Sequence, residues 1–265
     1  MLALRVLSGV VAVPILLYLA SDNGWPFRLG LLACGLLGTI EAVGMARQSG
    51  LHPSFGVALL LATAIILDVS WPWVKGQLLF AALGIAAVAA LVLQIFRADL
   101  DHALVDWALT LALPLYVAGL VAFFAPLRDL SKVWPFTWPA LVMVTSWSCD
   151  IAAYFGGRRF GRTRLAPLIS PSKTREGALF GIFAATIVGM ALSLANGVDP
   201  LRMAGFGVTV GAASVLGDLS ESFLKRQFGV KDSGILIPGH GGILDRMDAL
   251  IFSAAGAYFY LQVVS

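Results

Sequence analysis

The amino-acid sequence predicts an all-α, polytopic integral membrane protein with about nine transmembrane helices. Of its 265 residues, 59% are hydrophobic and only 12% are charged, whereas ordinary soluble domains are about 45 to 50% apolar and about 25% charged. Apolar segments of about 20 residues follow one another with short polar breaks, and each can cross a hydrocarbon core of about 30 Å as a helix. Strands of a membrane barrel would be about ten residues long and would alternate in polarity.

The first apolar run is predicted to be a retained helix and not a signal peptide. Pro14 lies inside it, and the segment 21–26 is a turn rather than a small-residue cleavage site. The third run holds Asp68 near its end and is followed by Trp71-Pro72-Trp73, an aromatic pair suited to the headgroup level. In chain order, the predicted spans are 2–20, 29–46, 54–70, 77–96, 104–125, 138–156, 177–195, 203–218 and 247–264.

The distribution of positive charge predicts the orientation. With nine spans, thirteen of the eighteen Lys and Arg residues lie on the side of the N-terminus. Because cytoplasmic loops carry an excess of these residues, we expect a cytoplasmic N-terminus and an external C-terminus. Both long polar connections, 157–176 and 219–246, then face the cytoplasm. We therefore expect a multi-pass protein of the cytoplasmic (inner) membrane whose polar site faces the cytoplasm.

The connections divide the chain into two parts within a single predicted membrane domain, 1–265. Residues 1–137 are expected to be mainly scaffold, and residues 138–265 to carry the helices and loops of the site. We interpret the acids of the first part as solvated charges in loops or at helix ends. No internal repeat of fixed period is visible, which disfavours a secondary transporter. These acids are Glu41, Asp68, Asp99, Asp101, Asp106 and Asp129.

Asp150 is a candidate site residue because of its depth. It lies about two helical turns inside the cytoplasmic end of the sixth predicted span. A carboxylate there costs up to about 2.5 to 3.5 kcal/mol by insertion scales, so it normally faces the protein interior and has a partner. The alternative is an acid paired to a basic residue for purely structural reasons.

The connection after this span, 157–177, is basic and rich in small residues. Guanidinium groups and hydroxyls can donate to phosphates, and Pro171 near the start of a helix would leave backbone N–H groups facing an anion. The pattern therefore predicts a segment that surrounds phosphates. The alternative is a positive anchor that binds anionic lipids at the membrane surface.

The polar stretch Ser222–Asp248 and the acids just before it carry most of the expected chemistry. If the eighth helix continues past residue 218, one acid-rich face forms at offsets of three, four and seven residues. The residues on that face are Asp218, Glu221, Ser222 and Lys225.

A second carboxylate pair, Asp245 and Asp248, shares a face at the start of the last predicted helix. Between the two pairs lies the glycine-rich bend 238–242. Few hard oxygen ligands, with room for water and phosphate, are what Mg²⁺ requires when it bridges substrate phosphates. His240 in the bend is more typical of a loop-orienting side chain than of a metal ligand.

The same stretch matches a family motif at every specified position. The motif is S-x-hydrophobic-K-R, four residues, K-D-x-G, two residues, hydrophobic-P-x-H-G-G-hydrophobic-x-D-R-hydrophobic-D, and it is filled by Ser222–Asp248. The segments 217–222, 150–154 and 170–177 also look like the family's pattern. The chain thus resembles the phosphatidate cytidylyltransferases (CDP-diacylglycerol synthases), sharply from about Ser146 onward and only generally before it. Ser172 departs from the pattern, since family members often have a basic residue there.

The resemblance implies a membrane nucleotidyltransferase of phospholipid biosynthesis. Such an enzyme joins CTP to phosphatidic acid and releases CDP-diacylglycerol and pyrophosphate. The implied cofactor is Mg²⁺, for which Mn²⁺ can substitute, with a second, monovalent cation left open. The implied partners are CTP, phosphatidic acid and membrane lipids, with a homodimer left open and no nucleic acid.

The resemblance also implies residue roles. Metal ions would be held by Asp218 and Asp245, with Asp150, Glu221 and Asp248 as further candidates. Catalytic cations would be Lys225, Arg226 and Lys231, which hold the triphosphate and stabilise the departing pyrophosphate. Further substrate-binding candidates are Lys173, Arg175, Ser222, His240, Gly241, Gly242 and Arg246. The alternatives are a CTP-dependent transferase for a polyprenyl or ether-lipid phosphate and a secondary transporter with intramembrane acids.

Overall fold

The structure, a computed structural model, describes residues 14, 16–20, 24–71, 74, 76–97, 100–130, 137–234 and 241–264. Most of this part of the chain is helical, and six of its helices are long and apolar enough to cross a membrane. The expected class, a polytopic and mainly helical membrane protein, is confirmed. The count of nine spans stays a prediction, because most of the first predicted span, 2–20, lies outside the described residues.

The helices follow the predicted order. Each predicted span from 29–46 onward overlaps a helix. The fifth, 104–125, covers one helix and the start of the next, and the sixth and eighth continue beyond their predicted ends, to Phe160 and Gln227. The helices are α1 Trp25–Gln48, α2 Phe55–Ser70, α3 Leu79–Phe96, α4 Ala103–Val121, α5 Phe124–Asp129, α6 Trp138–Phe160, α7 Arg175–Asn196, α8 Pro200–Gln227 and α9 Leu244–Val264.

Large apolar side chains point outward from several helices. Phe80 and Phe96 of α3 are 85% and 82% exposed, and Leu194 of α7 is 87% exposed. Water disfavours apolar surface of this extent, whereas hydrocarbon does not. These side chains therefore agree with helices that contact lipid.

A two-stranded antiparallel sheet connects α6 to α7. Strand β1 (Arg164–Ala166) pairs with β2 (Ser170–Thr174), so that Arg164 lies opposite Thr174. Pro171 belongs to β2, and α7 begins only after Thr174. Pro171 therefore lies in a strand before the helix and not in its first turn, and the Thr174 hydroxyl caps α7 by accepting the Gly177 N–H at 3.1 Å. Anion binding by the remaining N–H groups at the start of α7 stays a prediction.

The chain packs as two compact units, which we describe separately. The first comprises Gly24–Pro126 and Gln227–Asp245. The second comprises Leu127–Arg226 and the last helix from Arg246 onward, together with residues 16–20. The segment that follows α8 thus groups with the N-terminal helices. The single membrane domain with a division after residue 137 stays a prediction.

Within the first unit, two glycines let α1 approach its neighbours closely. A Cβ atom at Gly35 would lie 3.1 Å from the Ile66 side chain of α2, and one at Gly38 would lie 2.7 Å from the Val117 side chain of α4. Small residues at such positions allow helix backbones to pack closely where lipid provides no hydrophobic driving force.

Three acids of the first unit are buried, so their interpretation as solvated charges is wrong. Glu41, Asp68 and Asp106 are only 7%, 4% and 4% exposed. Oδ1 of Asp68 accepts the Leu78 backbone N–H, and Oδ1 of Asp106 accepts that of His52, both at 2.7 Å. A buried carboxylate requires donors, and backbone N–H groups outside regular helices require acceptors, so each contact satisfies both needs.

Within the second unit, α6 and α7 pack closely over glycines of α7. A Cβ atom at Gly177 or Gly181 would lie 2.8 Å from the carbonyl oxygen of Ala153 or Cys149, respectively. The largest fully buried side chain is that of Phe206, whose ring lies 5.5 Å from the Trp138 ring. The Gly177 contact holds the end of α6 against the start of α7, where the hairpin emerges.

Candidate active site

Helix α8 aligns two acids and a lysine on one face, as the spacing predicts. Because the helix continues to Gln227, Asp218, Glu221 and Lys225 all lie in regular helix. Lys225 Nζ donates to Glu221 Oε2 at 2.9 Å, one helical turn away. Glu221 is almost completely buried, with 1% of its side chain exposed, and the Lys225 side chain is 14% exposed. A buried carboxylate thus has an adjacent ammonium group that compensates its charge.

The β-hairpin brings a second lysine to the same helix. Lys173 Nζ lies 2.5 Å from Asp218 Oδ1, and the two side chains are 24% and 40% exposed. The two residues come from different motif segments, 170–177 and 217–222, which the fold therefore joins. The Lys173 Nζ atom itself is buried, so on the solvent side of this ion pair it is the partly exposed Asp218 that a ligand would meet first.

Polar contacts hold the hairpin in place. The Glu176 carboxylate accepts the backbone N–H groups of Arg162 and Thr163 at 3.0 and 3.1 Å. From α8, Arg226 Nε donates to the Ile169 carbonyl at 3.3 Å. This hydrogen bond connects the hairpin to α8. Binding of the triphosphate by Arg226 stays a prediction.

Asp150 has the partner that its depth predicts, although that partner is neutral. Ser214 Oγ donates to Asp150 Oδ1 at 2.9 Å. Ser214 in turn contacts Ser146 Oγ at 3.2 Å, and Ser253 Oγ lies 3.4 Å from Ser146 Oγ. The three serines are fully buried, whereas Asp150 itself is exposed, with Oδ1 on the buried Ser214. A hydroxyl chain between α6, α8 and α9 therefore orients this carboxylate.

Asp248 completes a group of four carboxylates in the second unit. Its carboxylate lies close enough to Glu221 and Asp218 for their charges to repel. Asp150 experiences the charges of both Asp218 and Lys173. We call this set the acid–lysine cluster: Asp150, Lys173, Asp218, Glu221, Lys225 and Asp248.

The ligand chemistry of the acid–lysine cluster fits a divalent cation. Carboxylate oxygens are the hard ligands that Mg²⁺ prefers, and concentrated negative charge favours a cation. Across the residues that the structure describes, no three Asp, Glu, His or Cys side chains form a ready-made metal site. Lys173 and Lys225 instead neutralise two of the carboxylates. The magnesium assignment stays a prediction.

Asp245 lies in the first unit, in a separate network. Its Oδ2 accepts the N–H groups of Ser233 and Gly242, both at 2.9 Å, and lies 3.0 Å from Ser233 Oγ. Gly241 has a φ angle of +82°, and a Cβ atom there would lie 2.8 Å from Asp245 Oδ2. Two of the predicted substrate-binding residues, Gly241 and Gly242, therefore shape the backbone around this carboxylate.

The remaining predicted site residues differ in exposure. Arg175, Lys231 and Arg246 are exposed, and Ser222 is partly buried. His240 lies outside the described residues.

Sequence reasoning missed Glu41 and the serines that orient carboxylates. The sequence pattern predicts Glu41 to be a solvated acid, yet it is buried and accepts hydrogen bonds from Ser233, Ile243 and Leu244. One signal could have identified it: an acid within an apolar run needs a partner, which is the argument applied to Asp150. For Ser146, Ser214 and Ser253 the sequence holds no comparable signal, because serine is common in membrane helices.

Comparisons with known proteins extend the likeness over the whole chain. The model of the cytidylyltransferase family matches residues 3–264. The chain is 36% identical over 263 residues to the phosphatidate cytidylyltransferase of Brucella suis, covering 97% of this chain and 92% of that protein. The phosphatidate cytidylyltransferase of Synechocystis sp. is 32% identical over 287 residues, with 98% and 96% covered. That of Bacillus subtilis is 31% identical over 270 residues, with 98% of each chain covered.

Proposed function

The chain belongs to the cytidylyltransferase family, and we propose that it is the CTP:phosphatidate cytidylyltransferase of its membrane. It condenses CTP with phosphatidic acid to give CDP-diacylglycerol and pyrophosphate. The observation that carries this conclusion is the match to relatives of that name over 97% to 98% of the chain. The match includes the apolar N-terminal part of the chain, which contains none of the motif segments.

The reaction needs no side-chain nucleophile. The second pKa of a phosphate monoester is about 6, so the lipid phosphate is largely ionised near neutral pH. One of its oxygens forms a bond to the α-phosphorus of CTP, while the bond from that phosphorus to the bridging oxygen of the β-phosphate breaks. Pyrophosphate leaves with the electron pair. The main obstacle is the repulsion between two polyanions.

Lys173 and Lys225 are the cations that we expect to reduce this repulsion. Each already pairs with a carboxylate, at 2.5 and 2.9 Å. Triphosphate oxygens would replace those carboxylates as partners, so that each ammonium group keeps an anion while it binds substrate. Ammonium groups near the β- and γ-phosphates stabilise the charge that develops on the leaving pyrophosphate.

Asp218, Glu221 and Asp248 would hold Mg²⁺, with Asp150 as a further candidate. When bound, Mg²⁺ supplies charge neutralisation and aligns the reacting phosphates. The protein's own contribution is to keep the ligands in place, as the Ser214 hydroxyl does for Asp150. Asp245 would be a further metal ligand, and only the motif resemblance supports that role.

We further propose an inner-membrane location with the acid–lysine cluster facing the cytoplasm, where CTP is found. The bias of Lys and Arg toward the side of the N-terminus supports this orientation. The side chains of the cluster lie in or near the two long connections, 157–176 and 219–246, which the same count assigns to the cytoplasm.

The proposed function is tested with purified protein in detergent and radiolabelled CTP. We expect labelled CDP-diacylglycerol from phosphatidic acid, and at least about tenfold less product from a polyprenyl phosphate or an ether-lipid phosphate. EDTA should abolish turnover, and Mg²⁺ or Mn²⁺ should restore it. Turnover with only another lipid phosphate would assign a different substrate. Full activity in excess chelator would remove the metal from the mechanism and leave the reaction intact.

A further inference from the structure

Glu41 is a buried acid in the part of the chain expected to be scaffold. It lies in α1, is 7% exposed, and is followed by Ala42 and Val43, which are fully buried. A carboxylate in such surroundings is unfavourable unless several donors compensate it. Its donors identify what the residue does.

Among the described residues, the donors to Glu41 are Ser233 and the backbone at the start of α9. Ser233 Oγ lies 3.0 Å from Glu41 Oε2, the Ile243 N–H donates to Oε1 at 2.9 Å, and the Leu244 N–H donates to Oε2 at 2.8 Å. Ile243 directly precedes α9 and Leu244 is its first residue. The first N–H groups of a helix have no partner inside it, and negative charge is favoured there. Glu41 therefore caps α9 from a distant point in the chain.

Two motif glycines have a physical explanation in this contact. A Cβ atom at Gly234 would lie 2.7 Å from Glu41 Oε1. A Cβ atom at Gly242 would collide with the Ser233 hydroxyl and with the Glu41 carboxylate. The backbone thus approaches the carboxylate too closely for any side chain, and two glycines that the motif specifies are the residues that Glu41 requires.

Ser233 links Glu41 to Asp245. Its Oγ lies 3.0 Å from Glu41 Oε2 and 3.0 Å from Asp245 Oδ2, and it accepts the Asp245 N–H at 3.3 Å. A hydroxyl has one proton, so it donates to one carboxylate at a time while contacting both. Any displacement of Glu41 would therefore move the group that orients Asp245.

We propose that Glu41 is a positioning residue that holds Ser233 and the start of α9 and through them orients the Asp245 carboxylate, a role whose kinetic consequence rests on the proposed function. Helix α1 would then orient Asp245 within the first unit and would not serve only as scaffold. Positioning by a carboxylate behind a metal-binding or catalytic group commonly contributes 10- to 100-fold in affinity or activity.

The structural half of the proposal is tested by hydrogen–deuterium exchange on the purified, substrate-free protein. In Glu41→Gln, the amide NH₂ group replaces one acceptor oxygen and faces backbone donors. We expect the peptide that contains Ile243 and Leu244 to exchange at least about tenfold faster than in the parent. Asp68→Asn is the matched control, because Asp68 is equally buried in the same unit and also accepts a backbone N–H. It should accelerate exchange at Leu78 and leave 243–244 unchanged.

The catalytic half is tested by kinetics on the same proteins. We expect Glu41→Gln to lower kcat by about 10- to 100-fold, with KM for CTP within about threefold of the parent, because positioning acts on the reacting geometry. Asp68→Asn should keep the parental kcat once corrected for folded protein. Glu41→Asp, which keeps the charge on a shorter side chain, should be intermediate.

Ser233→Ala removes the hydroxyl between Glu41 and Asp245 but leaves the contacts of Glu41 with the start of α9. It therefore remains informative if Glu41→Gln does not fold. It should lower kcat while exchange at Ile243 and Leu244 stays near the parental rate, since both amides keep their Glu41 contacts. Parental exchange and parental kcat in Glu41→Gln would overturn the proposal, as would equal kcat losses in Glu41→Gln and Asp68→Asn. If the parent itself does not turn over CTP, the proposed function fails, and the exchange comparison alone decides whether Glu41 holds the start of α9.

Discussion

Asp218 and Asp245 are the carboxylates whose loss should be most damaging. Asp218 pairs with Lys173 at 2.5 Å, and Asp245 Oδ2 accepts two backbone N–H groups at 2.9 Å. Replacement by Asn keeps the shape and removes the charge that a metal ligand needs. We expect Asp218→Asn and Asp245→Asn each to lower kcat by about 100-fold or more, measured with radiolabelled CTP.

Asp129→Asn is the control for these variants, because Asp129 is exposed and lies on the predicted opposite face. It should keep nearly parental activity. If raised Mg²⁺ restores part of the activity of either site variant, that carboxylate acts mainly through metal affinity. Parental activity in both site variants would show that neither acid takes part.

Lys173 is the cation that best distinguishes a phosphate site from a membrane anchor. Lys173→Ala should raise KM for CTP by about tenfold or more, since a hydrogen bond to a charged group contributes about 1.5 to 3 kcal/mol. It should also lower the Mg²⁺ concentration needed for half-maximal rate, because the ammonium no longer competes for Asp218. Steady-state kinetics over CTP and Mg²⁺ measure both effects.

Arg164→Ala is the matched control, because Arg164 is exposed on β1 of the same hairpin. Its KM for CTP should stay within about twofold of the parent. Equal changes in the Lys173 and Arg164 variants would favour the alternative in which the basic segment only anchors the protein to anionic lipids.

At the scale of elements, the hairpin and the start of α7 determine where Lys173 lies. Thr174 is buried, and its hydroxyl caps α7 through the Gly177 N–H. Thr174→Val removes the cap without changing the shape, so it should lower the free energy of unfolding by about 1 kcal/mol. Because Lys173 adjoins this residue, KM for CTP should rise as well. Unfolding in denaturing detergent and steady-state kinetics provide the two measurements.

Thr186→Val serves as the comparison, because Thr186 lies in the same helix and its hydroxyl donates to the Ile182 carbonyl at 2.8 Å. That carbonyl already has a helical partner, so losing the hydroxyl should be nearly neutral. A cap variant that behaves like Thr186→Val would show that the hairpin is fixed by Glu176 and Arg226 without Thr174.

At the scale of the whole molecule, the positive charges predict that the segment after α8 faces the cytoplasm. Asp232 is exposed and suits a labelling experiment, whereas the neighbouring Ser233 is only 3% exposed and does not. In a background without Cys34 and Cys149, Asp232→Cys should react with a membrane-impermeant maleimide only after the cells are opened.

Asp129→Cys should react from outside intact cells, because it lies on the predicted external face. Labelling of Asp232→Cys from outside would reverse the predicted orientation and contradict an active site supplied with cytoplasmic CTP.

The sequence by itself determined the features that depend on local pattern. The apolar run lengths identified the membrane class, because only helices satisfy the backbone in hydrocarbon. Helical spacing placed Asp218, Glu221 and Lys225 on one face, and the structure confirms this because α8 continues to Gln227. The motif identified the family, since its specified residues recur at fixed offsets.

The tertiary structure alone decided which distant residues meet. The pairing of Lys173 with Asp218 requires a hairpin that the composition of a basic connection does not reveal. The hydrogen bonds between Glu41 and the start of α9 connect residues about 200 positions apart. No periodicity encodes such contacts, because they depend on where unpaired backbone donors emerge once the helices have packed. A buried carboxylate must find donors, and only the folded chain determines which ones lie within reach.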